Sequence, residues 1–182
     1  MDITGAELII RFLENRSRGR RDADVVGFIP GGAAMRPLEH ALADSALRMT
    51  RELGAGILFF DFAPGLAKAE AALAGAKAQR RPMVCIAVQV RRSLIGTDAC
   101  LPANTRRVLD PLTKRWFHVG AAMELLELLP EVFRLAESGR RGPVLLEIPE
   151  DVLTEVMLGA WIPRARTPKS AARAAHESAL LC

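Results

Sequence analysis

The apolar residues of this chain fall into two alternating patterns, which are short continuous runs and longer stretches with helical spacing. The continuous runs predict buried strands at residues 24–29, 46–49, 57–62, 82–88, 115–119 and 143–149. The helical spacing predicts helices at residues 4–16, 36–44, 66–79 and 121–137. Thr4, followed three residues later by Glu7, is typical of a capping box at the start of the first helix. Residues 91–107 are interpreted as a loop.

This alternation predicts an α/β fold, with a mostly parallel sheet of about five or six strands flanked by helices. The length of 182 residues fits one domain, which we assign to residues 1–159. From Pro163 on, Ala, Arg, Ser and Lys dominate the chain without periodicity. We therefore expect a mobile basic tail over residues 160–182.

The charge of the chain is modest, with a net value of +4 and a pI near 9.4. Arginines at positions 16, 18, 20 and 21 form one basic stretch. It could contact phosphates, or it could be a solvated helix end whose cations face the negative end of the dipole. Because no aromatic residues are interleaved with these arginines, the second interpretation is favoured and we expect no nucleic-acid partner.

The cysteines and histidines define no metal site or disulfide framework. Cys85, Cys100 and Cys182 are odd in number and unpaired in spacing, which favours a reducing compartment. The three histidines are isolated, so no zinc spacing arises. There is no signal-peptide pattern and no apolar run of about 20 residues, so we expect a cytoplasmic protein without a membrane segment.

Two stretches are candidates for chemistry. Glu52 lies between a predicted strand end and a helix start, and small residues follow it at Gly54, Ala55 and Gly56. It could be a catalytic carboxylate, or a solvated acid favoured by the helix dipole. The second stretch is the turn Pro30-Gly31-Gly32, which has no Cβ at two positions. This turn either lets the backbone approach a ligand or is an ordinary turn between strand and helix.

The order of several segments resembles the N-terminal, pyrimidine-binding domain of thiamine-diphosphate enzymes of the acetolactate synthase group. The resemblance extends from about residue 3 to residue 153. Its segments are GAELI at 5–9, FIPGGA at 28–33, ELGA at 52–55, SLIGTD at 93–98, SGRRGPVL at 138–145 and IPEDV at 148–152. The stretches at 93–98 and 139–152 are specific in combination, and the others support them.

The resemblance implies a role for each matching position. Glu52 matches the glutamate that hydrogen-bonds N1′ of the aminopyrimidine, where a proton favours the imino tautomer of the 4′-amino group. Pro30, Gly31 and Gly32 match the turn that faces the cofactor across a subunit interface. The implied cofactor is thiamine diphosphate, and family enzymes hold its diphosphate through Mg²⁺ on a C-terminal domain. This chain has no Gly-Asp-Gly motif followed by the Asn ligand, so Mg²⁺ must be supplied by a partner chain.

The sequence also departs from the family pattern. Arg51 replaces the usual histidine, and Cys100-Leu101-Pro102 replaces Phe-Gln-Glu. Residues 57–62 can form either the strand found in the family or the helix that precedes that strand. They cannot form both, because the segment that ends at Gly65 is too short to contain the two elements. We therefore keep two hypotheses. The chain is the pyrimidine half of a two-chain 2-keto acid decarboxylase or carboligase, or it is a non-catalytic truncated paralogue that folds and self-associates. We expect a homo-oligomer or a diphosphate-binding partner, and poor coverage of Phe59, Phe60 and Phe62 where the helix is missing.

Overall fold

A computed structural model describes residues 2–17, 25–50, 56–97 and 104–158. The strands are β1 (Ile3–Thr4), β2 (Val25–Phe28), β3 (Arg48–Thr50), β4 (Ile57–Asp61), β5 (Met83–Gln89), β6 (Trp116–His118), β7 (Pro143–Pro149) and β8 (Val156–Met157). The α-helices are α1 (Gly5–Ser17), α2 (Arg36–Ala43), α3 (Phe62–Ala78), α4 (Asn104–Leu109), α5 (Leu125–Glu137) and α6 (Glu150–Thr154).

The central element is a six-stranded sheet with the strand order β3-β2-β4-β5-β7-β6. Every neighbouring pair in this sheet is parallel. The predicted α/β fold with a parallel sheet of about six strands is therefore confirmed. A separate two-stranded ribbon pairs β1 with β8 in the antiparallel sense.

Helices cover both faces of the sheet, as the continuous apolar strands require. One core layer joins α1, α2, α5 and α6 to the sheet, with Ile9, Leu38, Leu129 and Val152 all buried. The opposite layer is formed by α3 and the end of α4, through residues such as Leu73. Because alternate residues of each strand feed the two layers, β4 and β5 are buried on both sides.

The start of α1 has the geometry of the predicted capping box. The backbone N–H of Glu7 donates to Thr4 Oγ1 at 3.2 Å, and the backbone N–H of Thr4 donates to Glu7 Oε2 at 2.8 Å. Two helix-start donors are satisfied in this reciprocal way, which fixes where the helix begins.

Several expectations need correction. Phe59, Phe60 and Phe62 are 0%, 0% and 2% exposed, so the expected poor coverage of these rings is wrong. Phe60 and Phe62 are covered because α3 starts at Phe62 and packs its small residues on this face. Phe59 points to the other face of the sheet and is buried in the layer of α1, α2, α5 and α6. The predicted loop at 91–107 contains the start of α4 at Asn104. The predicted strand at 46–49 lies two residues later, at Arg48–Thr50.

Three short elements near the ends of the described chain had no sequence signal. They are β1, α6 and β8. The predicted tail at 160–182 and the arginines at 18, 20 and 21 lie outside the described residues. Within the described ranges, no helix is both long enough and apolar enough to cross a bilayer.

Candidate functional site

The predicted turn lies at the carboxyl end of β2, at the edge of the sheet where open α/β proteins bind ligands. After β2, Ile29 donates its backbone N–H to the carbonyl of Phe59 at 3.0 Å. Pro30, Gly31 and Gly32 then lead into a 3₁₀ turn at Ala33–Met35. The residue before the turn, Ile29, is thus anchored to β4. The residue after the turn, Ala33, begins a helical turn.

A carboxylate on the neighbouring strand closes this arrangement. Asp61 is the last residue of β4, and its Oδ2 accepts a hydrogen bond from the backbone N–H of Gly32 at 3.0 Å. A β-carbon at Gly31 would lie 2.5 Å from Asp61 Cβ and 2.8 Å from Met35 Cγ. Gly31 is therefore required for packing, whereas Pro30 and Gly32 are exposed and leave backbone accessible at the edge.

Glu52, the predicted catalytic carboxylate, lies outside the described residues. Its sequence neighbours are placed, because β3 ends at Thr50 and Thr50 is in register with Gly27 of β2. The structure also shows that Ile57–Asp61 forms a strand and not a helix. Only residues 51–56 remain to connect β3 to β4, whereas a parallel crossover normally needs a dozen residues or more.

A second polar group lies on the α3 face of the sheet, at the ends of β5, β6 and β7. Its centre is Glu147, whose side chain is 14% exposed. Glu147 Oε2 accepts from Trp116 Nε1 at 2.7 Å, and its Oε1 accepts from Gln89 Nε2 at 3.3 Å. The Trp116 ring stacks on Phe62, with 5.9 Å between the ring centroids. The carboxylate is therefore engaged on both oxygens and is not a solvated surface acid.

His118 is the remaining member of this group, and its Nδ1 lies 3.8 Å from Glu147 Oε1. The pKa of His118 is raised above its ordinary value, first by Glu147 acting as hydrogen-bond acceptor. Partial burial acts in the opposite direction, and the charges of Glu147 and Glu124 raise the pKa further. Because 3.8 Å is too long for a formed hydrogen bond, we regard the attraction as mainly electrostatic.

Arg92 holds together the segments that follow β5 and β7. Its Nε donates to Asp151 Oδ2 at 2.7 Å, its Nη1 to the Gly120 carbonyl at 2.7 Å and its Nη2 to Glu155 Oε2 at 3.1 Å. Burial raises the pKa of Asp151, but the hydrogen bonds and charge of Arg92 outweigh it and leave that pKa below its usual value. Arg92 is therefore a structural residue, because its hydrogen bonds tie these segments together.

The sheet separates these groups from the glycine turn. Strands β2 and β6 are four positions apart in the sheet, which corresponds to roughly 19 Å at about 4.8 Å per strand. His118 therefore does not reach a ligand at the turn. Among the described residues, no cluster of three or more His, Cys, Asp or Glu side chains could hold a metal ion. Burial raises the pKa of the Cys85 thiol, which keeps it protonated and unreactive.

Sequence reasoning missed Asp61 and the Glu147 group. The signal for Asp61 was a charged residue that directly ends an apolar strand. For Glu147, the signal was a carboxylate inside the apolar run of β7, on the same face as Leu145. Its partners lie 31 and 58 residues away, so only the strand order brings them together.

The six-stranded parallel sheet with helices on both faces is consistent with the pyrimidine-binding domain of thiamine-diphosphate enzymes. No family model matches the chain. The chain is 34% identical to the acetolactate synthase isozyme 1 large subunit of Escherichia coli, over 97% of this chain and 34% of that protein. It is 35% identical to the acetolactate synthase of Mycobacterium leprae, over 91% of this chain and 28% of that protein.

A third relative, the acetolactate synthase large subunit of Corynebacterium glutamicum, is 33% identical over 91% of this chain and 28% of its own length. The homologues of this chain are thus acetolactate synthases, which supports a relationship to acetolactate-synthase-like thiamine-diphosphate enzymes. The chain spans about a third of the length of these relatives. The Escherichia coli match extends over 195 residues, more than the 182 of this chain, so the relative carries additional residues within the matched stretch.

Proposed function

We propose that this chain is the pyrimidine-binding half of an acetolactate-synthase-like enzyme that acts on 2-keto acids with thiamine diphosphate. The observation that carries the proposal is the 34% identity over 97% of the chain, and the six-stranded parallel sheet is consistent with it. The acetolactate synthase activity of the relatives belongs to proteins about three times as long. We propose that activity requires a partner chain that carries the diphosphate-binding part.

The glycine turn fits the cofactor's pyrimidine side. It lies at the carboxyl edge of the sheet, and Pro30 and Gly32 are exposed there. The backbone around Gly31 is held by Asp61, which keeps the turn in one shape. Bound thiamine diphosphate supplies an acidic C2–H and an electron sink for decarboxylation. Glu52 would hold a proton at N1′ of the aminopyrimidine, and burial against the ring would raise its pKa toward sharing that proton.

The diphosphate and Mg²⁺ would be held by a second chain. The sequence has no Gly-Asp-Gly motif with a following Asn. A carboxylate and carbonyl set of this kind is what Mg²⁺ requires beside phosphate oxygens. We therefore expect thiamine diphosphate to bind weakly, or not at all, to the isolated chain. Calorimetry that detects micromolar, Mg²⁺-dependent binding to the lone chain would contradict this part of the proposal.

The alternative is a non-catalytic paralogue that folds and self-associates. The short connection of residues 51–56 favours it, because Glu52 lies inside the shortened segment. In either case we expect an oligomer, on the basis of the family's cofactor site between subunits. Light scattering that finds only a monomer at high concentration would argue against an oligomer. The deciding difference between the two hypotheses is whether Glu52 acts on a bound cofactor.

The decisive experiment combines this chain with the diphosphate-binding half of an acetolactate synthase and measures exchange of the C2 proton by NMR. Glu52→Gln should slow the exchange by about 10²- to 10⁴-fold, because the amide cannot accept the proton shared with N1′. Glu150→Gln is the matched control, since Glu150 is only partly buried and lies 3.9 Å from Arg91. Glu147 is unsuitable because it binds Trp116. Unchanged exchange in Glu52→Gln, or no exchange in any complex, would favour the non-catalytic alternative.

A further inference from the structure

A basic depression lies at the opposite edge of the sheet from the glycine turn. Arg80 follows α3 and precedes β5, and residues 139–141 follow α5 and precede β7. Because β5 and β7 are parallel neighbours with Met83 opposite Pro143, both loops meet at the amino edge. They enclose an open depression of about 390 Å³, which is lined by Arg80, Gly139, Arg140 and Arg141.

The three arginines of this depression have no anionic partner within the described part of the chain. No ion pair or side-chain hydrogen bond joins Arg80, Arg140 or Arg141 to a described residue. By contrast, Arg134 on the exposed face of α5 donates to Glu131 at 2.7 Å. Three like charges around one concavity repel one another, and a bound anion would relieve that repulsion.

The backbone conformation of Arg80 is unusual for an arginine. This residue has φ +52, in the left-handed region that a β-carbon disfavours. Arg80 lies just after the last turn of α3. The next residue, Arg81, donates its N–H to the Ala76 carbonyl at 2.8 Å. In helix ends closed by such a hydrogen bond, the position that Arg80 occupies is usually a glycine. Gly139, across the depression, has φ +50 with no atom within 4 Å of its missing β-carbon. Local conformation alone therefore favours glycine at position 80, yet the residue there is an arginine.

Stabilisation of helix ends does not account for all of these cations. Cations near the last turn of a helix interact favourably with its terminal carbonyls. At the end of α5, however, Lys114 Nζ already donates to the carbonyls of Leu135 and Ser138. The terminal carbonyls of α5 are thus already bound by Lys114, so they do not explain the presence of Arg140 and Arg141 nearby.

We propose that this depression binds a small anion with two or more linked phosphate groups. Guanidinium groups form paired, charge-assisted hydrogen bonds with phosphate oxygens, and three of them suit a chain of phosphates better than a single ion. The depression lies within the size range of small-molecule sites, about 300–1,000 Å³. It is independent of the proposed function, because it is formed at the other edge of the sheet.

The test measures binding of inorganic triphosphate to the full chain by calorimetry, at low salt and at 0.2 M salt. The variants are Arg80→Ala, Arg140→Ala and Arg141→Ala. Each should weaken triphosphate binding by about tenfold or more, as expected for loss of a charged hydrogen bond. Arg107→Ala, which removes an exposed arginine of α4, should leave binding unchanged. Circular dichroism of each variant establishes that it is folded.

Three further arms decide the interpretation. Sulfate at equal ionic strength should bind at least tenfold more weakly than triphosphate, because it cannot span the three arginines. ATP that binds as well as triphosphate would identify a nucleotide as the source of the phosphates, whereas weaker binding of ATP would favour a free polyphosphate. Absence of triphosphate binding, or equal weakening by Arg107→Ala, would overturn the proposal. Arg80→Gly gives a second readout, since it should raise thermal stability while weakening triphosphate binding as much as Arg80→Ala does.

Discussion

Replacement of Gly31 by alanine tests whether the glycine turn is held by close packing against β4. The new β-carbon would lie 2.5 Å from Asp61 Cβ, a distance that real β-carbons do not adopt. Asp61 Cβ is fixed by the backbone of β4, so it cannot rotate away. The second neighbour, Met35 Cγ at 2.8 Å, belongs to a flexible side chain, but Met35 is fully buried.

The expected cost is that of an extra methyl group forced into a packed region, about 1–3 kcal/mol of unfolding free energy. For a chain of this size, each kcal/mol corresponds to a shift in Tm of about 2–4 °C. The Gly32 N–H would also move away from Asp61 Oδ2, from which it now lies 3.0 Å. A loss of that hydrogen bond contributes about 0.5–1.5 kcal/mol to the same total.

The assay is urea unfolding of Gly31→Ala, Asp61→Gly and the double variant, followed by circular dichroism. Removing Asp61 Cβ makes room for the new methyl group, so Gly31→Ala should cost less in the Asp61→Gly background. Contacting residues typically couple by about 0.5–3 kcal/mol. Gly75→Ala is the matched control of opposite sign. Gly75 lies inside α3 with open space around it, so alanine should stabilise the chain by about 0.5–1 kcal/mol.

Two results would refute this reasoning. If Gly31→Ala leaves the free energy of unfolding unchanged while Gly75→Ala behaves as expected, the contact with Asp61 is not rigid. If Gly31→Ala costs the same with and without Asp61 Cβ, the penalty does not arise from this contact. Either result would also weaken the view that Asp61 keeps the turn in one shape for the cofactor.

Three further predictions concern stability. Thr4→Ala should lower the free energy of unfolding by about 0.5–2 kcal/mol, because the Glu7 N–H loses its acceptor. Phe60→Ala should lower it by about 3–5 kcal/mol, since the ring is fully buried. His118→Gln should cost about 0.2–1 kcal/mol at acid pH. Because the folded pKa of His118 is raised, that contribution is complete below the ordinary value of 6.5 and disappears as pH rises through the folded pKa.

Each of these has its own check. Thr4→Ser keeps the hydroxyl acceptor, so a loss equal to that of Thr4→Ala would show that capping is not the cause. Phe60→Leu should retain much of the buried area, and a cost as large as that of Phe60→Ala would speak against area as the origin. For His118, unfolding is measured at pH 5.5 and pH 9 in wild type and His118→Gln. A difference that grows with pH would have the wrong sign for a raised pKa.

Much of the fold follows from local pattern. The apolar runs of β5 and β7 were identified because both faces of a central parallel strand are buried, which leaves no polar positions to obscure the run. The Thr4–Glu7 spacing located the start of α1 because capping acts within one helical turn. In the candidate site, the glycine turn was predicted from residues that specify a backbone shape.

The missed features depend on contacts between distant parts of the chain. Helix α4 has a fully buried Leu109 but little apolar pattern, so nothing local distinguishes it from a loop. The expected exposure of Phe60 was wrong because the position of α3 over β4 was not considered. Glu147 became recognisable as a buried acceptor only when β6 and β5 were placed on either side of β7. Such information lies in strand order, which short stretches of sequence do not encode.

The ribbon of β1 and β8 has a consequence for the order in which the chain acquires its structure. Ile3 pairs with Met157, and the Gly5 N–H donates to the Glu155 carbonyl. The first helix is thus anchored by residues made almost at the end of the described chain. Since a protein emerges from the ribosome with its N-terminus first, α1 must remain without this anchor while the whole sheet is synthesised. Closing so long a loop is entropically costly, so we expect the ribbon to form late, after the six strands have brought its two halves together.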